Sequence, residues 1–147
     1  MAQNESKLID DILNTENPKE AVDLINTITN KELLHKIAMW YNWDMGFDIP
    51  NAIITNHYCD LGTAVMIFYL ADGFCYFDDV ALNSGSKTWS EFLRLLYKRI
   101  SRQDFFTEDI ASEPQISKAQ VFKLKKSNPD IPTALLEKRN GVVISYA

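Results

Sequence analysis

Leu61-Gly62-Thr63-Ala64-Val65-Met66-Ile67-Phe68-Tyr69-Leu70-Ala71, preceded by Asp60 and followed by Asp72-Gly73, is the stretch of this 147-residue chain that decides its fold class. Thr63 apart, the run is apolar on nearly every face, and a helix apolar all round belongs at the centre of a domain. Asp60 suits the N-cap position, and Gly73 suits the left-handed residue that follows a helix end. The run is too short to span a membrane, which takes about 20 apolar residues. The expected fold is therefore all-α, a compact multi-helix single domain over 1–147 packed around this helix.

The flanking sequence supplies the other helices. Leu8, Ile9, Ile12 and Leu13 recur at helical spacing up to Asn14. Asn17-Pro18-Lys19-Glu20 offers an N-cap, a proline at the first helical position and a glutamate three residues after the cap. Asn30 starts a third helix that carries Leu33, Leu34, Ile37, Ala38 and Tyr41. Gly46 and Pro50 punctuate the aromatic stretch Trp40-Tyr41-Asn42-Trp43-Asp44-Met45-Gly46-Phe47-Asp48-Ile49-Pro50, which reads as a turn, with a helix beginning at Pro50 and ending near Asn56. Ser86 or Thr88 caps a long helix over 89–102, whose Arg94, Lys98, Arg99 and Arg102 run along one side and towards its C-terminal end. Residues 107–147 form a less regular tail. Val121-Phe122-Lys123-Leu124 alternates like a strand, and Asn140-Gly141 suits either a hairpin turn or the cap of a helix over 132–139. The propensity of Thr133-Ala134-Leu135-Leu136-Glu137-Lys138 favours that helix, which leaves at most a small C-terminal β element.

Composition fits a globular domain, with 46% hydrophobic and 24% charged residues. The net charge of −5 hides a lopsided distribution. Residues 1–85 hold four basic and thirteen acidic side chains, a net of −9, whereas 86–147 hold eleven basic and seven acidic, a net of +4. No Lys or Arg lies between Lys36 and Lys87, where Asp44, Asp48, Asp60, Asp72, Asp78 and Asp79 all fall. A negative first half is a poor footprint for nucleic acid and a good one for a basic protein. The N-terminal residues lack the basic and apolar regions of a secretory signal, and two cysteines make no disulfide framework, so a cytoplasmic location is expected.

Catalytic signals are sparse. His35, His57, Cys59 and Cys75 lack the paired spacing of a zinc site, so neither a metal nor another cofactor is expected. His35 reads instead as a partly buried, hydrogen-bonded histidine. Cys59 and His57 are too close in sequence to face each other as nucleophile and base, and Cys75 sits among aromatics as a small buried thiol. Neither Gly-x-Ser-x-Gly nor a phosphate-binding glycine loop is present. An enzyme would have to rest on carboxylates, as a small carboxylate-dependent hydrolase. Asp44, Asp60 and Asp72 each have a turn or capping role available. Ten of the seventeen aromatics fall between Trp40 and Phe77, most of them as core; Trp43 and Phe47, beside acids in a turn, are candidate exposed interface anchors.

Leu34-His35-Lys36-Ile37-Ala38, Tyr41-Asn42-Trp43-Asp44-Met45-Gly46-Phe47-Asp48-Ile49-Pro50, Cys59-Asp60-Leu61-Gly62-Thr63-Ala64 and Phe68-Tyr69-Leu70-Ala71-Asp72-Gly73 together resemble the bacterial domain-of-unknown-function family 4274, over roughly residues 33–80. Met45 departs from the family pattern, where a further acid is expected. Asn42, Trp43, Asp44, Gly46, Asp60, Gly62, Thr63, Asp72 and Gly73 match its motif. The family has no established activity, but small acidic proteins of this kind are often encoded beside polymorphic or contact-dependent toxins. The resemblance thus implies an immunity protein, not an enzyme, whose partner is a cognate toxin domain, basic and nuclease-like, with neither nucleic acid nor membrane as a partner. Trp43, Asp44, Asp48, Asp72, Asp78 and Asp79 are the candidate partner-binding residues, with no catalytic or metal-binding residue. A structural adaptor that uses the basic late helix is the further alternative.

Overall fold

The computed structural model describes residues 2–145 and is all-α. Its helices are α1 (Ala2–Asn14), α2 (Pro18–Ile25), α3 (Lys31–Trp40), α4 (Asp48–Thr55), α5 (Leu61–Leu70), α6 (Asp79–Ser84), α7 (Lys87–Ser101) and α8 (Lys118–Ser127). Short 3-10 turns lie at Trp43–Met45, Gly73–Phe77 and Thr133–Leu135. Among the described residues no helix is long and apolar enough to cross a membrane.

Side-chain caps set most of the boundaries. Asn17, Asn30, Asn42 and Asp60 each accept a hydrogen bond from the backbone N–H two residues on, and Asp78 accepts from Val80 and Ala81. Ser86 caps α7, and Ser117 with Gln120 forms a reciprocal capping box on α8. α5 packs on both α3 and α7 and contributes buried Leu61, Ala64, Val65, Ile67 and Phe68 to a core that reaches from Ile12 to Leu136. α1 and α2 close over α3 and α4. Asn56 ties the end of α2 down, its Nδ2 donating to the carbonyls of Ile25 and Ile28 at 3.0 Å each.

Several local expectations are corrected. α4 begins at Asp48, two residues before Pro50, because an N–H in the first helical turn has no partner within the helix and proline loses nothing there. After α5 it is Asp72, not Gly73, that takes the left-handed conformation, at φ 59° and ψ 40°. Gly73 is small for a different reason: a Cβ there would lie 2.3 Å from Phe68 Cδ1. Val121-Phe122-Lys123-Leu124 is helical, since the Ser117 capping box starts a turn that buries Leu124 and leaves Phe122 70% exposed.

The expected helix over 132–139 is a single 3-10 turn at Thr133–Leu135. Beyond it, the backbone pairs with the segment before α8. Ser112 and Arg139 exchange hydrogen bonds of 3.1 and 2.8 Å, Ala111 N donates to Val142 O at 2.8 Å, and Val142 N donates to Asp109 O at 2.9 Å. These two isolated bridges, Ser112 with Arg139 and Ile110 with Val142, are the β content among the described residues. Asn140-Gly141 is thus neither a hairpin turn nor a helix cap. Gly141 is where two backbones meet, since a Cβ there would stand 2.4 Å from Asp109 O.

Candidate functional site

The aromatic turn is built to present acids. Asn42 caps it, accepting from Asp44 N at 3.0 Å, and the Tyr41 hydroxyl donates to Gly46 O at 2.6 Å. Gly46 has φ 90°, a conformation that side-chain-bearing residues rarely adopt. The Trp43 ring meets Tyr41, Phe47 and Phe92 edge-on, with centroids 5.4, 6.2 and 6.4 Å away. Trp43 and Phe47 are therefore half-buried anchors of the turn on α7, and the expectation of an exposed pair holds only in part. The indole Nε1 is buried and has no hydrogen-bond partner among the described residues. Asp44, Met45 and Asp48 are left exposed. Burial, reinforced by the negative charge of Asp48, pushes the Tyr41 phenol up to about 12.

The second acidic turn follows α5. Asp72, Asp78 and Asp79 are exposed around the Gly73–Phe77 turn, whose Tyr76 stacks on Tyr97 at 4.3 Å and whose Phe77 packs on Phe68 and Tyr97. Trp89 Nε1 donates to Ala71 O at 2.7 Å and fastens the start of this turn to α7. Trp89 and Phe92 are neighbours three residues apart on α7. Both acidic turns therefore pack against α7, the first at Phe92 and the second at Trp89 and Tyr97, so one helix joins two sequence clusters about thirty residues apart. Among the described residues none of the five aspartates is in an ion pair, although Asp11, Asp23, Asp104 and Asp109 each have one. The nearby cation Arg94 is held by Asn83 Oδ1 at 3.1 Å.

Asp48 also lines an open cleft of about 380 Å³ with Asp10, Glu16, Trp40, Tyr41 and Met45. Asp10 and Glu16 were missed as companions of the motif turn, because they arrive through the packing of α1 and α2. The exposed Trp40 at the end of α3 was the one local signal of an unfilled surface.

The other motif element is structural. Asp60 is wholly buried and accepts four hydrogen bonds: from Gly62 N at 2.8 Å, Thr107 Oγ1 at 2.6 Å, Asp109 N at 2.7 Å and Ile110 N at 3.0 Å. Gly62 lies directly under the Ile110 carbonyl, and Lys31 pairs with Asp109 over the same seam. Burial pushes the Cys59 thiol up to about 12, which keeps it protonated at neutral pH. Among the described residues no group of three or more His, Cys, Asp or Glu is arranged to hold a metal ion.

His35 is 6% exposed, and its Nδ1 lies 2.8 Å from Thr63 Oγ1. Burial lowers the imidazole to about 4 against an opposing pull from Asp60. Between about pH 6.5 and pH 4 the unfolded chain takes up a proton that the folded chain does not, so stability falls as pH falls across that window and levels off below it. Urea unfolding should show the wild type losing about 2–3 kcal/mol more than His35→Gln between about pH 7 and pH 4. Equal losses would mean that His35 titrates as in an open chain.

Residues 29–101 match the model of DUF4274, a domain of unknown function. The matched span covers both acidic turns, α5 and α7 but neither α1 nor the 107–112 segment that Asp60 holds. No curated protein and no solved structure matches the chain.

Proposed function

The chain belongs to the DUF4274 family, and from that premise we propose that it is a non-enzymatic, cytoplasmic immunity protein that neutralises a basic, nuclease-like toxin domain by covering it. The observation that carries this reading is the joint presentation of Asp44, Asp48, Asp72, Asp78 and Asp79. All five are exposed, none is in an ion pair among the described residues, and both turns that bear them pack against the same helix, α7. The motif supports it by division of labour: Asn42, Trp43, Gly46, Asp60, Gly62 and Gly73 shape the fold, leaving Asp44 and Asp72 to face outward. Toxins that cut nucleic acid need basic clefts, and an acidic surface meets these quickly, since complementary charge raises association rates toward about 10⁸ M⁻¹s⁻¹ at low salt.

The test is kinetic. Replacing Asp78 and Asp79 together by Asn removes two charges while leaving a good helix cap at position 78, because Asn caps as well as Asp does. Association with the toxin domain should slow roughly threefold to tenfold at low ionic strength, and its salt dependence should flatten. An unchanged rate would remove these two acids from the interface.

A further inference from the structure

The cleft where α1, α2 and the end of α3 meet the aromatic turn is apolar where it is buried and acidic where it is open. Ala21 and Tyr41 are buried in it and Leu13 and Ile49 half-buried, while Asp10, Glu16 and Asp48 are exposed. Two large apolar side chains stand uncovered beside those acids: Trp40 is 54% exposed and Met45 66%. The volume, about 380 Å³, is at the small end of the range of about 300–1,000 Å³ for ligand sites, which suits one long side chain rather than a large cofactor.

Charge decides what fits. No Lys or Arg lines the cleft, and none of its three carboxylates is in an ion pair among the described residues. The lysines nearest in sequence are spent elsewhere: Lys7 on Asp11, Lys19 on Asp23, and Lys36 on Glu5 in the adjoining cleft that shares Asp10 and Trp40. The neutral polar groups do not alter the sign. The Tyr41 hydroxyl donates to Gly46 O, the Thr15 hydroxyl accepts from Asn17 N and donates to Glu20, and Asn42 Oδ1 accepts from Asp44 N, while the Asn14 amide serves either charge. An anion would meet three like charges here, whereas a cation meets three partners and an aromatic face. A guanidinium suits this pairing better than an ammonium, because it is planar, stacks on an indole ring, sheds its water more readily and offers a fork of N–H groups that matches a carboxylate.

We propose that this groove receives an arginine side chain of a basic partner protein, with the guanidinium against the Trp40 ring and its N–H groups on the carboxylates of the groove. A protein supplies it because Met45 and Asp48 belong at once to the groove and to the turn that presents Asp44, so the groove continues the acidic face. The inference rests on the basic partner of the proposed function and adds the residue that such a partner must carry.

The tryptophans provide the test. Trp40 is exposed, whereas Trp43 and Trp89 are half-buried and Trp89 Nε1 is tied to Ala71 O. With the indoles nitrogen-15 labelled and the methionine methyls carbon-13 labelled, titration of the full chain with the peptide acetyl-Gly-Arg-Gly-amide at low ionic strength should shift Trp40 and Met45 saturably and leave Trp89 in place. The lysine peptide should bind at least about threefold more weakly, and the citrulline peptide, which keeps the shape without the charge, at least about tenfold. Trp40→Ala, followed at Met45, should weaken the arginine peptide about threefold or more, and Glu16→Gln with Asp48→Asn about fivefold or more, with an unmoved Trp89 signal certifying the fold. The kinetic test at Asp78 and Asp79 uses neither this groove nor these peptides, so the toxin reading and the arginine site fail separately. An unmoved Trp40 signal, parallel movement of Trp89, equal binding of the lysine or citrulline peptide, or an unchanged affinity in either variant would each overturn the proposal.

Discussion

Asp60→Ala should be the most damaging single substitution in this chain, at about 3–5 kcal/mol of unfolding free energy. The carboxylate has no exposed surface and satisfies four donors, three of them backbone N–H groups, at 2.6–3.0 Å. Alanine strips every acceptor at once and leaves those donors buried, each unfavourable by about 1–3 kcal/mol, less whatever water recovers. Asn is no rescue: it presents an NH₂ group where both carboxylate oxygens accept. The donors come from α5 and from residues 107–110, so the loss is felt at a tertiary seam and not only at a helix end, where a missing cap costs about 1 kcal/mol. For a chain of this length the melting temperature should fall by about 10 °C or more. Urea unfolding checks the value, and a loss of only about 1 kcal/mol would reduce Asp60 to a simple cap.

Gly62→Ala should cost about 3 kcal/mol, against the ordinary expectation for a helical glycine. In an open helix Ala is better than Gly by about 0.5–1 kcal/mol, so the sign here depends on the neighbour. A Cβ at position 62 would stand 2.2 Å from Ile110 O and 2.9 Å from its carbonyl carbon. Both are backbone atoms and cannot swing aside. To admit the methyl group, Ile110 must lift off α5, which pulls its N–H from Asp60 and strains its pairing with Val142. Because both substitutions release the same segment, Asp60→Ala and Gly62→Ala together should cost clearly less than the sum of the two. Strict additivity in urea unfolding of the four proteins would show that residues 107–110 are not a shared element.

Local chemistry made most of the helical frame legible. Asn17, Asn30, Asp60 and Ser86 cap where their side chains fit, and the apolar run of α5 lies inside the core. Reading failed where the deciding contact was distant in sequence. Residues 132–139 have good helical propensity, but Leu135 and Leu136 are drawn into the core while Arg139 and Val142 pair with backbone some thirty residues earlier. The same distance hides the role of Asp60. As a cap it is readable from Leu61 and Gly62; as the acceptor for Thr107, Asp109 and Ile110 it is not. The left-handed position falls on Asp72 because α5 ends with Ala71 as its C-cap, while Gly73 serves the close approach to Phe68. For the candidate site, the acids were visible as a run without Lys or Arg. That Trp43 is spent on holding the turn to Phe92, and that Trp89 brings the second turn to the same helix, needed the fold.

These assignments separate scaffold from surface. Asp60 and Gly62 lock the core to residues 107–110 and Thr63 ties α5 to His35 of α3, whereas Asp44, Asp48, Asp72, Asp78 and Asp79 are exposed and without ion pairs among the described residues. The surface acids should tolerate Asn with little change in stability, as exposed positions do, within about 0.5 kcal/mol. If the chain is an immunity protein, that is where its charge acts. The direct test is to co-express it with a toxin-like domain, should the neighbouring reading frame encode one. Growth should be restored, and the two chains should co-purify as a complex weakened by salt. Continued killing, with the toxin domain recovered alone, would contradict the immunity reading.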